Sequence, residues 1–198
     1  MNNRILGIIT FVFAYLLLPL VFSVSVSFYV QIDAVDAAVK QRLFFGVFSF
    51  LLLHLFIWEP LAVYEKGQRV IAAACGFLPF LSRVASLCLP LYTIFFLGLL
   101  ISLAKLKIYN SLLVFLVGFS FMFHLVFTAK ELKSDQTDFM FARYFFYLEL
   151  TYLITIFLVA LVFHFVFKGF SFFDFYRLGI TLGKDVYSAV AGQLFFVR

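Results

Sequence analysis

Apolar residues run unbroken along five stretches of this chain, over 5–30, 43–64, 84–103, 108–128 and 144–167. Each is close to or above the roughly 20 residues an α-helix needs to cross a bilayer core of about 30 Å. The runs are continuous rather than one-sided, so they match neither the stripe of a soluble helix nor the alternation of a half-buried strand. They predict an all-α fold: a polytopic membrane bundle of about five transmembrane helices over 1–168, then a C-terminal amphipathic interfacial helix in 169–198.

The polar interruptions are short. Asp33, Asp36, Lys40 and Arg42 place the 31–42 connection outside the hydrocarbon. Val70–Ser82 is apolar but only about 20 Å long as a helix, contains Gly76 and Pro79, and ends at Arg83, which reads as a re-entrant or interfacial piece. Pro90 lies within the third run. Asp135 and Asp138 are capping candidates before the fifth. Tyr29, Tyr64, Tyr109 and Tyr144 fall at run edges, where a phenol favours the headgroup region. The first run follows Asn2-Asn3-Arg4 and has small residues at Ser23, Ser25 and Ser27, as a cleaved signal would. It exceeds the roughly 7–15 residues of a signal h-region, so a retained helix is expected.

After Lys168 the pattern changes. Ser171-Phe172-Phe173-Asp174 has capping-box spacing, with Asp where Glu or Gln is usual. Leu178, Leu182, Val186, Val190 and Leu194 then recur every fourth residue, with Thr181, Lys184, Asp185 and Ser188 on another face. Three destinations fit this apolar face: the membrane surface, a partner protein, or the chain's own bundle.

Composition strengthens the membrane reading. Hydrophobic residues are 65% and charged residues 13% of the 198, against about 45–50% and 25% in soluble domains. The net charge of +5 sits at run ends, so anionic headgroups are the expected partners and nucleic acid is not. A membrane-protein partner or a homo-oligomer is expected beside the lipid. Basic residues do not settle orientation: five spans place Arg4, Lys66, Arg69, Arg83, Lys130, Lys133 and Arg143 on one side and eight on the other. Six spans would give nine to six. Arg4 beside the first helix leans towards a cytoplasmic N-terminus in a cell or inner membrane. Cys75 and Cys88 read as buried thiols. The 32 Phe residues fit helix packing and lipid contact, or a surface for an aromatic or isoprenoid ligand.

Ionisable residues inside spans are costly and mark candidate sites. His54, Glu59, His124, Glu149 and His164 are the five here. Glu59, His124 and Glu149 each lie six or seven residues inside a charged end, which puts them at a common depth of about 9–10 Å. Three chemistries suit that layer: a satisfied structural pair, a proton or cation relay through Glu59, His124, Glu149 and His54, or a metal set of Glu59, His124 and Glu149. No Glu-x-x-His or His-Glu-x-x-His spacing supports the metal. No two histidines share a level, which argues against bis-His haem. No cofactor, catalytic residue or metal ligand is assigned. The leading expectation is a non-catalytic subunit or assembly factor of a membrane complex. A proton- or ion-coupled transporter component comes second and an intramembrane metalloenzyme third.

Overall fold

A computed structural model describes residues 3–57, 59–75, 85–105, 111–134 and 141–195. It is an all-helical bundle: α1 (Asn3–Asp33), α2 (Ala37–Phe56), α3 (Leu61–Ala74), α4 (Leu91–Lys105), α5 (Ser111–Ser134), α6 (Phe141–Val166) and α7 (Phe172–Phe195). Four stretches are long and apolar enough to cross a membrane, namely Ile8–Asp33, Ala37–Phe56, Ser111–Lys133 and Tyr144–Val166, with Leu91–Leu103 as a shorter apolar helix. α2 lies along α5, α1 lies along α6 and α7, and α4 fills the space against α5 and α6.

Two helix boundaries differ from the apolar runs, and proline is the reason in both. The run 43–64 divides: Asp36 caps α2 by accepting from the Ala38 and Val39 amides at 2.9 and 3.4 Å, and the helix stops at Phe56. Pro60 cannot donate to a preceding turn, and it begins α3 instead. Pro90 likewise opens α4, its carbonyl accepting from Ile94 at 2.9 Å. That leaves α4 with 15 residues, about 22 Å, so the third run is not a full-length helix. Val70–Ala74 belongs to α3. Cys75 follows it as the half-buried C-cap, while the remainder of the expected re-entrant piece from Gly76 to Ser82, Tyr109 and the capping candidates Asp135 and Asp138 lie outside the described residues.

α3 is amphipathic. It buries Tyr64, Gly67 and Ile71 and leaves Glu65, Lys66 and Arg69 exposed. Tyr64 is therefore not a headgroup anchor: its ring is buried, packed between Phe123 and Phe127 of α5.

The phenylalanines form two packed groups. Phe28 of α1 meets Phe163, Phe170 and Phe175 with ring centroids 5.6–6.0 Å apart. Phe50 of α2 meets Phe119 and Phe123 of α5 at 5.1 and 5.6 Å. These separations suit edge-to-face packing. Interior hydroxyls join helices: Ser25 to Tyr152 at 2.8 Å, Thr93 to Ser120 at 3.1 Å, and Thr155 to the Cys88 carbonyl at 3.1 Å. In a lipid medium each such bond contributes about 0.6 kcal/mol.

Small residues set the closest approaches. Gly46 of α2 and Gly118 of α5 face each other's helix backbone, and a Cβ on Gly46 would stand 2.7 Å from the Phe119 nitrogen. Gly169 turns the chain from α6 into α7 at φ 95°, where only glycine is unstrained. A Cβ there would also meet the Ala34 carbonyl at 2.6 Å. Ser171 then caps α7, accepting from the Asp174 amide at 3.2 Å, but the reciprocal half of the capping box does not form, since the Ser171 amide donates to Gln31 Oε1 at 3.1 Å. Of the three destinations for the C-terminal helix, its buried face takes the chain's own bundle: Phe175, Gly179 and Gly183 lie on α1.

Candidate functional site

The polar residues gather where the ends of α2 and α5 meet the start of α3. Glu59, in the break between α2 and α3, accepts from Lys130 of α5 at 2.6 Å. The contact puts Glu59 on the same side as Lys130 but at the level of that charged end, not six or seven residues inside it at the depth of His124. Glu59 is not inside a span, because α2 ends before it. Its side chain is 65% exposed. The Lys130 ammonium, by hydrogen bond and then by charge, holds the Glu59 carboxyl below its ordinary range.

A depressed carboxyl gives stability that is full above its unfolded value of 4.5 and is lost as pH falls through the lower folded value. At an exposed pair the effect is small and screened by salt. Unfolding midpoints measured from pH 7 to pH 3 are expected to fall more steeply for the wild type than for Glu59→Gln. The difference should shrink at high salt. Equal slopes would show that the pair is uncoupled from folding.

Behind this pair, Tyr64 donates to Glu131 at 2.8 Å and shares a 3.1 Å hydrogen bond with Thr128. Gln68, one turn along α3, also reaches the Tyr64 hydroxyl. Burial, with a smaller push from the Glu131 charge, moves the phenol well above its ordinary range, so it stays protonated and able to donate. Glu59, Tyr64, Gln68, Arg69, Lys130 and Glu131 are among the residues lining a groove of about 530 Å³ here. A smaller cavity of about 10 Å³, close to the room one water needs, lies beneath and is lined in part by Tyr64, Gln68 and His124.

His124 is buried at 5% exposure on α5. Its ring hydrogen-bonds the Leu87 backbone, and its Nε2 has no partner among the described residues. The Gln68 Oε1 facing the same cavity is also unpartnered. Glu149 is buried at 6% on α6, and its Oε2 likewise lacks a partner. No ion pair joins His124 to Glu149 among the described residues. His54 falls in the last turn of α2, stacked on Phe50 at 5.7 Å with an interplanar angle of 10°. His164 is close to the end of α6, within 3.2 Å of the Phe170 carbonyl.

The structure thus brings Glu59 to Lys130 and His124 to Tyr64 and Gln68. Among the described residues no hydrogen bond or ion pair links the relay candidates Glu59, His124, Glu149 and His54 to one another, although the His54 charge acts on Glu59. Among the described residues no three His, Cys, Asp or Glu side chains converge as a metal would need. The Tyr64–Thr128–Glu131 linkage was missed because Tyr64 sits in a continuous apolar run. The four- and three-residue spacing of Tyr64, Gly67 and Ile71 against Glu65, Lys66 and Arg69 was the available signal.

Bundle and site together define a multi-pass membrane protein with an all-helical fold. No family model, curated protein or solved structure matches the chain.

Proposed function

We propose that this protein is a non-catalytic subunit or assembly factor of a membrane complex, working by packing against partner proteins. The observation that carries the reading is that, among the described residues, the candidate ionisable groups are not linked to one another by hydrogen bonds or ion pairs. Glu59 is paired with Lys130 across a helix break, His124 sits behind Tyr64, and the Glu149 Oε2 on α6 has no partner. A catalytic or conducting centre needs such groups within reach of one another or of one water. Here the polar contacts that do form tie helix to helix, which is what a scaffold requires. A cytoplasmic N-terminus, next to Arg4, completes the reading.

A second reading, a proton- or ion-coupled component, is favoured by one feature: His124 and Glu149 are both buried with an unpartnered atom. Ionisable groups of that kind at membrane depth are rare without a role.

Extraction from native membranes in a mild detergent, followed by native mass spectrometry, tests the subunit reading. A complex with stoichiometric protein partners, or with further copies of this chain, is the expected result. A monomer carrying lipid alone would contradict it.

A further inference from the structure

Helix α7 has 24 residues, about 36 Å, and it runs antiparallel to α1. Four contacts fix the register. Ser27 donates to the Phe175 carbonyl at 2.5 Å. Gly179 lies 3.8 Å, measured from its built Cβ, from Val24 and Ser27. Gly183 lies against Ser23, and the Tyr187 hydroxyl donates to the Leu16 carbonyl. Lys184 and Asp185 therefore sit between the levels of Ser23 and Leu16, at the middle of the Ile8–Asp33 span. Both are exposed, and among the described residues neither they nor Arg177 form an ion pair or side-chain hydrogen bond.

Charged groups at that depth do not face hydrocarbon: they face protein or a water-filled space. The pattern around α7 says what covers them. At 100° per residue, the stripe centred on Thr181 and Ser188 lies opposite the α1-facing residues Phe175, Gly179 and Gly183. Arg177 and Lys184 form one flank of this stripe, and Asp174 and Asp185 form the other. Two copies in one membrane share an orientation, so their two-fold axis stands along the membrane normal. Such an axis sets the cationic flank of one helix against the anionic flank of the other. Lys184 and Asp185 differ in height by about 1.5 Å, and Asp174 and Arg177 by about 4.5 Å, so both pairs can form twice.

We infer that α7 is the seam of a homodimer, formed by a second copy of this chain through reciprocal Lys184–Asp185 and Arg177–Asp174 pairs, with Thr181 and Ser188 at the helix crossing. The inference rests on the subunit reading above and supplies its surface and partner.

The test is the oligomeric state of the full chain in lipid nanodiscs, for the wild type, Lys184→Asp, Asp185→Lys and the double exchange. The wild type should be dimeric. Each single exchange places like charges across the seam and should weaken association at least tenfold. The double exchange recreates the pairs and should recover it, which separates a seam effect from misfolding. Single exchanges that remain dimeric would overturn the inference, and so would a double exchange no better than either single. A monomeric wild type would also overturn it. If that monomer still associates stoichiometrically with a different membrane protein, the subunit reading stands and only the second copy is refuted. If it has no partner of any kind, both readings are refuted.

Discussion

Gly46→Ala is expected to be strongly destabilising, although it adds a single methyl group. α2 and α5 cross with their backbones in contact at Gly46 and Gly118. A Cβ at Gly118 would stand 2.9 Å from the Leu43 carbonyl carbon and closer still to its oxygen. The obstacle at both positions is helix backbone, which cannot rotate aside like a side chain. Overpacking a dense interior costs about 1–3 kcal/mol where side chains yield, and more where they cannot. A loss of about 3 kcal/mol or more is expected for Gly46→Ala and Gly118→Ala alike. Gly179→Ala and Gly183→Ala provide the contrast. Their added Cβ would meet α1 at 3.8–3.9 Å, ordinary contact distance, so changes within about 0.5 kcal/mol are expected. Unfolding of the purified protein in mixed micelles by increasing SDS reads all four. Equal effects at the two seams would show that the α2–α5 crossing is looser than described.

Phe28→Ala is expected to cost about 3 kcal/mol. Phe28 joins four helices and the Gly169 turn: its ring packs with Phe121 of α5, with Phe163 of α6, with Phe170 after the turn, and with Phe175 of α7. In a bilayer, part of the hydrophobic term disappears because the unfolded helices are already in lipid. The lost dispersion contacts and the residual cavity still count. Phe22, on the same helix, is 62% exposed, and Phe22→Ala should change stability by less than about 0.5 kcal/mol. The same SDS titration separates them. Two equal, small effects would mean that the aromatic group fills space without holding the helices together.

The spans were legible because a bilayer demands long apolar helices, and nothing else in the chain competes with that signal. Their ends were less legible. Run 43–64 is apolar on both sides of the break, and only the adjacent Glu59 and Pro60 signal that two helices meet there. The α1–α7 seam was hidden for a different reason. Ser23 and Ser27 pair with Gly179 and Gly183 at matching four-residue spacing, but each pair is unremarkable until the two helices are placed together.

The site divides in the same way. Counting from charged ends put Glu59 on the side of Lys130, where the two meet, but set it too deep, because the count assumed that α2 continues to Tyr64. The same count cannot give azimuth around a helix. Whether His124 turns towards Glu149 or towards Tyr64 depends on the helix α3 that the apolar run concealed. Two packed groups take up part of the Phe content, while others such as Phe11, Phe48 and Phe165 are exposed.

The central claim is that the intramembrane polar residues hold a scaffold together and do not carry protons. Proton flux into proteoliposomes tests it most directly, with an internal pH dye and a potassium diffusion potential as driving force. Wild type, His124→Gln and Glu149→Gln are all expected to match protein-free liposomes. A wild-type flux well above that baseline, lost in Glu149→Gln while the protein remains folded, would contradict the account.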